Sequence, residues 1–327
     1  MKQCGRNINN NLNLLMSKFH LKQFLALSFS LLLLQNIESA PAFAAANPPS
    51  ETESPALTRD EIIEQKLNAF SKKHEVQIGE ETFYSLFRKS GKVATQGFMH
   101  GFNGRYTYRP GINDLLHFKF LDMYRLEGLY SFGKVDYSAP LAGADYNIKD
   151  YMYETRALLG KDIAMFQQAF ITPYLGFGYR HLSEDTSGRL TTSGIYGYLR
   201  QNSYWYIPIG IDLAIPVTNQ WLAIFNAEYD HWISGLLKSR FNDSEYFYPG
   251  TNNDNLNNRQ HRGLGIRGSV KLIRQGSLVN FYMEPFIRYW HVKNSNEEFG
   301  NLDGFYDFNI ERKNKTTEAG VKLGVQF

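Results

Sequence analysis

Strict two-residue alternation of side-chain character is the feature that most limits how this chain can fold. In the segment Trp205–Ile215 every odd position carries Trp, Ile or Leu, and every even position carries Tyr, Pro, Gly, Asp or Ala. Successive side chains of a β-strand point to opposite faces, so such a segment has one apolar face and one small or polar face. The alternation recurs at 171–179, 221–229, 262–272, 279–289 and 319–327. It predicts an all-β structure over residues 80–327.

The face opposite the apolar one decides between a soluble sandwich and a closed barrel. It mixes charges with Gly, Pro and Ala, which suits the packed polar inside of a narrow barrel. Aromatic residues collect near strand ends, as in the interfacial girdles of transmembrane barrels, and a bilayer requires strands that close on themselves. We expect a closed antiparallel transmembrane β-barrel. The residues expected to form a polar network in its lumen are Glu154, Arg156, Arg180, Asp212, Glu228, Arg267, Glu284 and Arg288.

The number of strands follows from counting the alternating segments. Gln96–Tyr108 is one such segment, and a barrel with both ends on the inner side needs an even number. The weakly alternating Glu80–Arg88 therefore completes a predicted ten strands, with eight as the alternative. Asp122 falls on an apolar strand face, which indicates either a β-bulge there or a strand drawn in the wrong place. The other eight strands are expected to begin near Leu115, Tyr151, Phe170, Tyr204, Trp221, Gln260, Leu278 and Lys315.

Connections between the predicted strands alternate in length, as in outer-membrane barrels. With the C-terminus on the inner side, short turns face the periplasm and long loops face the cell exterior. The short turns are expected at Pro110–Asn113, Thr218–Gln220 and Gln275–Gly276, with an intermediate link from Gly160 to Ala169. The long polar loops are expected at about Ser138–Asp150, Ser183–Asn202, Phe241–Asn258 and Asn296–Ile310.

Residues 1–44 have the organisation of a secretory signal peptide. A basic stretch precedes the apolar run Phe24–Leu34, and Ala42-Phe43-Ala44 matches a small-x-small cleavage site. The run is about half of the roughly 20 residues that a spanning helix needs, which disfavours a single membrane anchor. Residues 45–79 are expected to form a periplasmic linker and a short N-terminal helix, from about Arg59 to Lys73.

Removal of the leader leaves a chain with balanced charge. The remainder holds 31 basic residues (35 less Lys2, Arg6, Lys18 and Lys22) and 31 acidic residues (32 less Glu38). Such a balance gives no reason to expect nucleic-acid binding. The single cysteine, Cys4, is lost with the leader, so disulfides and thiol chemistry are not expected. Neither a metal site nor another cofactor is indicated by any motif.

The leader, the alternating strands and the terminal Val325-Gln326-Phe327 together resemble Gram-negative outer-membrane β-barrels. In such barrels a final Phe is the signal read by the barrel-assembly machinery, and Phe327 is similar to it. The stretches 105–109, 133–137, 172–180 and 204–210 resemble an uncharacterised family of these proteins, and the ten-strand size is similar to omptin and Opc-type barrels. Over residues 80–327 the resemblance implies location in the Gram-negative outer membrane, among outer-membrane lipids and lipopolysaccharide. It implies little about activity.

Candidate chemistry is sparse. Asp230-His231 resembles the Asp–His pair of omptin proteases, but adjacent strand residues face opposite sides, which argues against a protease. His181 and Ser183 resemble the His-x-Ser of barrel lipid A deacylases, although the residues that follow differ, and an interfacial His is the simpler interpretation. We expect a non-enzymatic, adhesin-like protein that binds an extracellular ligand through its outer loops. The alternatives are a small solute pore and a rim-located lipid A-modifying hydrolase.

Overall fold

A computed structural model describes residues 72–111, 114–116, 118–165, 169–244, 253–302 and 305–327. The predicted signal peptide lies outside these ranges, as does the predicted helix up to residue 71. The first strand begins at His74, so the predicted start of the barrel at residue 80 is six residues too late. Glu75 and Gln77 face inward and Val76 and Ile78 face outward, but the outward face also carries the polar residues Glu80 and Thr82, which interrupt its apolar pattern.

The described structure consists of β-strands and one 3-10 turn at Phe241–Ser244. No helix in the described ranges is long and apolar enough to cross a membrane. In chain order the strands are β1 (His74–Lys89), β2 (Val93–Tyr108), β3 (Met123–Ala139), β4 (Gly143–Gly160), β5 (Ile163–Met165), β6 (Ala169–Asp185), β7 (Leu199–Pro216), β8 (Trp221–Arg240), β9 (Leu256–Gln260), β10 (Gly263–Arg274), β11 (Asn280–Val292), β12 (Glu297–Leu302), β13 (Phe305–Ile310) and β14 (Asn314–Gln326).

Ten long antiparallel strands close into a barrel. Their order around the wall is β1, β2, β3, β4, β6, β7, β8, β10, β11 and β14, and β14 pairs with β1 to close the ring. The short β5 pairs with β6, β9 extends the pairing of β8 beyond β10, and β12 with β13 forms a separate hairpin. The predicted ten strands are confirmed, and the alternative of eight is wrong.

The tilt of the strands follows from the pairing register. We follow the paired residues from strand to strand around the wall, starting at Glu80. The path through β2, β3, β4 and β6 ends at Ser203 on β7, and the path through β14, β11, β10 and β8 ends at Ile215 on the same strand. These end points are twelve residues apart on one strand, which is the shear of the barrel. With ten strands spaced by about 4.8 Å, this shear corresponds to a tilt of about 40°.

The connection between β2 and β3 is longer than the sequence predicts. β3 begins at Met123 instead of near Leu115, and Leu115 lies exposed in the connection. Asp122 precedes the strand and accepts a hydrogen bond from the ammonium of Lys161 at 2.8 Å. Of the two alternatives for Asp122, the bulge is wrong and the wrongly placed strand is confirmed, because β3 begins one residue after it. The irregularity of β3 lies between Val135 and Tyr137.

The outer ends of the strands extend into two segments predicted as loops. Strands β3 and β4 occupy most of 138–150 and are joined by a tight turn at Gly143, whose φ is +77°. Much of the predicted loop at 296–310 forms the hairpin of β12 and β13. Both faces of these outer segments carry polar residues, so an apolar period of two does not mark them as strands.

The interior of the barrel is layered. Apolar clusters lie at both ends of the lumen and charged side chains lie between them. The inner-end clusters are Leu222, Ile273 and Tyr282, together with Met123, Leu158 and Tyr174. The outer-side clusters are Phe83, Met99, Val135, Ile148, Met152 and Phe286, together with Tyr204, Tyr206, Trp232, Trp290 and Val292.

Candidate functional site

The centre of the barrel holds a set of ion-paired side chains that we call the lumen network. Its members in the described structure are eight cationic and eight anionic residues, so its formal charge is zero. They are Arg105, Arg125, Arg156, Arg180, Arg267, Lys271, Arg288 and Lys322, with Glu81, Glu127, Glu154, Asp212, Glu228, Asp230, Glu284 and Glu318.

The ion pairs cross the lumen instead of following one strand. Arg156 on β4 reaches Glu228 on β8 at 2.5 Å. Arg125 on β3 reaches Asp212 on β7 at 2.8 Å, and Arg180 on β6 contacts Glu318 on β14. These strands are not neighbours in the wall. The network therefore ties opposite sides of the barrel together and occupies the space that a pore would need.

All eight residues predicted to line the lumen have their charged groups in this network. The other eight members were not among the predicted residues: Glu81, Arg105, Arg125, Glu127, Asp230, Lys271, Glu318 and Lys322. Position in the alternation could have found most of them, since each lies on the inward face of its strand. What the sequence does not contain is which cation meets which anion.

Little space remains between the charged side chains. Two cavities lie within the network, each of about 50 Å³, and charged groups such as Arg105, Glu284 and Arg288 line them. About 10–15 Å³ of such space is enough for one water molecule, so each cavity has room for a few waters between the charged side chains. At this level the described lumen is filled by side chains.

Aromatic rings cover the network on its outer side. Trp290 is 1% exposed, and the guanidinium carbons of Arg180 and Arg267 lie 5.6 and 5.4 Å from its ring centroid. Arg267 also lies 5.4 Å from the ring of Tyr206. Guanidinium groups over aromatic faces in a dry site are stabilised by the ring quadrupole, so the rings and the ion pairs form one packed unit.

Above the aromatic layer the outer end of the lumen opens into a small vestibule. It is a cavity of about 60 Å³ lined in part by Asp150, Glu184 and Arg200. Asp150 and Glu184 are cross-strand neighbours on β4 and β6. Arg200 and Lys89 each contact the carboxylate of Glu311 at 2.5 Å. None of Lys89, Asp150, Glu184, Arg200 and Glu311 was a predicted site residue. The segments that carry them either were interpreted as loops from the sequence or lay outside the apolar alternation.

The structure does not bring His181 and Ser183 together. His181 Nδ1 lies 2.9 Å from the hydroxyl oxygen of Ser203 on β7, and its ring stacks on Tyr153 with centroids 4.9 Å apart. Ser183 is 1% exposed, and its hydroxyl has no hydrogen-bond partner in the described chain. In the described structure the hydrogen bond of the imidazole goes to Ser203, and none joins His181 to Ser183.

The Asp230-His231 pair is divided between the two faces of β8. Asp230 is fully buried and accepts a hydrogen bond from Arg267 Nε at 2.7 Å, whereas His231 is exposed on the outer face. Asp230 and His231 thus face opposite sides of the wall, as expected for adjacent strand residues, and do not share a cleft. Within the described ranges no group of three or more His, Cys, Asp or Glu is placed to hold a metal ion.

The C-terminal residue completes the closure of the wall. The amide of Phe327 donates to the carbonyl of Val76 at 2.9 Å, and the Val76 amide donates back to the Phe327 carbonyl at 3.4 Å. The Phe327 ring is 46% exposed at the inner end of the barrel. The predicted assembly signal therefore lies at the seam between β14 and β1.

A closed antiparallel ten-strand barrel with a charged, filled lumen is the class of structure that these observations define. No family model matches the sequence, and no curated protein matches it. Among solved structures the chain is similar to the outer-membrane protease OmpT of Escherichia coli, with a TM-score of 0.56 and 8% identity over 78% of this chain and 96% of that one. At this identity the similarity shows the fold alone.

Two smaller surface proteins match with lower scores. Neisserial surface protein A has a TM-score of 0.29 and 11% identity, covering 78% of this chain and 96% of that one. The attachment invasion locus protein Ail of Yersinia pestis has a TM-score of 0.26 and 11% identity, covering 78% and 99%. Scores this low carry no argument about this chain.

Proposed function

We propose that the chain is an integral barrel of the Gram-negative outer membrane. Its outward face is apolar over most of the wall: Ile209 and Ile211 on β7, Phe225 on β8 and Leu323 on β14 are all exposed. In water this surface would be an extended apolar patch, whereas in a bilayer it is the favourable lipid contact. Exposed aromatic residues border it on both sides, at Tyr106, Trp221 and Phe281 on the inner side and at Tyr130, Tyr151 and Trp205 on the outer side.

The membrane location implies partners that follow from chemistry. The outer leaflet would surround the outer aromatic residues with lipopolysaccharide, and the exposed Phe327 would be read by the barrel-assembly machinery during insertion. Export by the leader at 1–44 would deliver the chain to that machinery. Fractionation tests this part of the proposal: the mature protein should be extracted from outer membranes only by detergent, and recovery in the soluble fraction would overturn it.

We infer that the barrel acts as a surface-exposed, adhesin-like protein and not as a pore. The two cavities described within the lumen network are each about 50 Å³, and charged side chains line both. A filled lumen cannot transmit solutes without breaking ion pairs that are buried in the barrel. The wall then serves as a support, and the function lies in the segments that it carries at its outer end.

The observation that carries this proposal is an aromatic patch on the outer hairpin of β12 and β13. Phe299, Tyr306 and Phe308 are 58%, 65% and 62% exposed. The Phe299 ring lies 5.9 Å from that of Tyr306 and 5.2 Å from that of Phe308. Contiguous exposed aromatics are costly in water and are typical of the anchor residues of binding surfaces. We propose that this aromatic patch contacts the extracellular ligand.

Adhesion assays with intact cells test the aromatic patch. Replacing Phe299, Tyr306 and Phe308 together by Ser should reduce binding to host cells or matrix at least tenfold, since anchors of this kind dominate interface energies. Leu141→Ser is the matched control, because Leu141 is 91% exposed on a different outer hairpin. Unchanged binding by the triple variant, with normal amounts at the surface, would overturn the role of the patch.

The non-enzymatic interpretation rests on the separation of His181 and Ser183. A serine hydrolase needs its nucleophile hydrogen-bonded to its base, with a third group orienting the base. Here the imidazole bonds Ser203 instead, and no carboxylate contact to the ring is found among the described residues. We therefore propose a binding protein over a lipid A-modifying hydrolase.

A further inference from the structure

One acidic side chain faces outward at mid-height of the apolar wall. Glu80 on β1 is exposed, and its neighbours on the wall are apolar: Phe102 and Leu323 beside it, and Ile78 one outward position below it. These three side chains are 58%, 50% and 56% exposed. The carboxylate therefore emerges from the middle of a continuous apolar surface.

The pairing register fixes the height of Glu80. The hydrogen-bonded row through Glu80 meets β7 at Ser203 in one direction and at Ile215 in the other. On β7 the apolar outward positions run from Trp205 to Ile215. Both paths cross five strands, and because the strands are tilted the row climbs towards the outer end on one path and descends by the same amount on the other. Glu80 therefore lies level with the midpoint of Ser203 and Ile215, near Ile209.

A lone carboxylate is unfavourable at this place in a bilayer. No ion pair or hydrogen bond to Glu80 is found in the described chain, and charged residues on a lipid-facing wall destabilise barrels most at the midplane. Charged groups within a membrane are found facing a partner or a water-filled space. The lumen is on the other side of the strand, so a partner for Glu80 has to come from outside the barrel.

A side chain that can donate a hydrogen bond to such a carboxylate lies close to Glu80 on the same outward surface. His100 on β2 is also exposed on the outer face, and its Nδ1 lies 3.0 Å from the hydroxyl oxygen of Thr82 on β1. When Thr82 donates this hydrogen bond, Nε2 carries the ring proton and is free to donate outward. The patch thus presents one acceptor and one donor, and neither is satisfied by its own chain in the described structure.

We propose that this patch, defined by Glu80, Thr82, His100 and Phe102, is the contact between two copies of the chain in the membrane. The inference rests on the proposed membrane location. A two-fold axis along the membrane normal makes the contact isologous, so that Glu80 of each copy accepts a hydrogen bond from His100 of the other. Within one copy these two groups are not hydrogen-bonded to each other, and the two-fold operation brings the acceptor of each copy to the donor of the other, which is why we choose a second copy as the partner.

The shape of the wall beside the patch allows the approach. His100 lies on the neighbouring strand, two residues from Phe102, which is the residue paired with Glu80. At a tilt of about 40° this places His100 about 8 Å from Glu80 along the barrel axis, towards the outer end. Two extended side chains joined by a hydrogen bond can span that offset. Gly104 and Gly128 are cross-strand partners below the patch, and a Cβ on Gly128 would meet no atom within 4 Å, which leaves room for a neighbouring wall.

Cysteine cross-linking in native outer membranes tests the contact. Phe102 lies between Glu80 and His100 in height, so Phe102→Cys in a Cys4→Ser background should form a disulfide-linked dimer on oxidation. The control is Ile209→Cys, which is exposed at a similar height on the opposite side of the barrel and should remain monomeric. Adding Glu80→Leu or His100→Leu to Phe102→Cys should reduce the dimer fraction at least tenfold.

The outcomes separate this inference from the proposed membrane location. Heat-sensitive mobility on gels shows whether each variant is a folded barrel, and fractionation shows whether it is in the membrane. A folded, membrane-located Phe102→Cys barrel that stays monomeric, or that cross-links no more than Ile209→Cys, overturns the dimer alone. A dimer that is insensitive to Glu80→Leu and His100→Leu overturns the pairing. Recovery in the soluble fraction overturns the membrane location, and the dimer proposal with it.

Discussion

Glu318 is the residue at which the neutrality of the lumen network can be tested most directly. Its side chain on β14 is 1% exposed and contacts two cations, Arg180 on β6 and Arg288 on β11, the latter at 2.8 Å. Replacing Glu318 by Gln keeps the size of the side chain and removes one negative charge. The network then holds eight cations against seven anions, and Arg180 and Arg288 keep only Glu154 and Glu81 as anionic contacts in the described structure.

The expected cost follows from the burial of the partners. Arg180 is 0% and Arg288 is 5% exposed, so neither guanidinium recovers its hydration when Glu318 is lost. Removing one partner of a buried ion pair typically costs about 3–5 kcal/mol. At 1.4 kcal/mol per factor of ten, Glu318→Gln should shift the unfolding equilibrium by about two to three and a half orders of magnitude.

Denaturant unfolding of the folded barrel in lipid vesicles measures this shift. Tryptophan fluorescence follows unfolding, and Trp290, one of the four tryptophans, is buried beside Arg180 and so contributes a signal from the network. The matched control is Glu297→Gln, the same change at an exposed position of β12, which should alter the free energy of unfolding by no more than about 0.5 kcal/mol. Linear extrapolation gives the two values on one scale.

The double variant Arg180→Met with Glu318→Gln separates charge from packing. If the cost of Glu318→Gln comes from an uncompensated Arg180, removing both should cost less than the sum of the two single changes by about 0.5–3 kcal/mol. A loss below about 1 kcal/mol for Glu318→Gln alone would refute the reasoning. Such a small loss would mean that water reaches the network and that the lumen is open.

Three further predictions follow from the lumen, the rim and the inner turn. In planar bilayers the wild-type barrel should show no conductance steps, and Arg267→Ala, which removes a bridge across the lumen, should produce small ones; steps in the wild type would contradict a filled lumen. Ser183→Ala should leave the acylation pattern of lipid A unchanged by mass spectrometry, and any loss of deacylation would contradict the non-enzymatic interpretation. A hydrogen bond from Lys73 at 2.7 Å holds the pKa of Asp114 below its ordinary value. The stabilisation contributed by the ionised Asp114 carboxylate is complete above the pKa that this group has in the unfolded chain. It is lost as the pH falls through the lower pKa of Asp114 in the folded chain. Hydrogen-exchange protection of the Gly111 amide, which donates to Asp114 at 2.6 Å, should therefore fall below about pH 4 in the wild type and show no such step in Asp114→Asn.

The prediction of strands from sequence succeeded wherever one face of a strand is uniformly apolar. Around Trp205–Ile215 the alternation identifies both the strand and its outward face: Trp205, Ile209 and Ile211 are exposed, and the even-numbered residues 206–212 are buried. It failed near Leu115, where an apolar run occurs in a connection, and it placed the start of β1 too late because the outward face of β1 carries the polar residues His74, Glu80 and Thr82. The outer ends of β3 and β4 were missed for a related reason: beyond the apolar belt both faces meet polar surroundings, and no period remains to detect.

The candidate sites divide in the same way. That Arg180 and Glu154 face the lumen is a consequence of residue parity along a strand and can be read without a structure. That Asp230 and His231 cannot share a cleft follows from the same rule. The position of His181 beside Ser203, and not beside Ser183, depends on how β6 is aligned with β7, which no local pattern specifies.

The alternation of side chains by itself determined which residues face inward, that the wall is built of β-strands, and that so many inward charges have to balance one another inside a closed ring. Only the tertiary structure decided the pairing. Arg180 meets Glu318, 138 residues further along the chain, because a shear of twelve residues brings β6 and β14 to matching heights on opposite sides of the lumen. Parity is a property of the backbone of each strand, whereas partner choice across the lumen depends on the register of all ten strands at once.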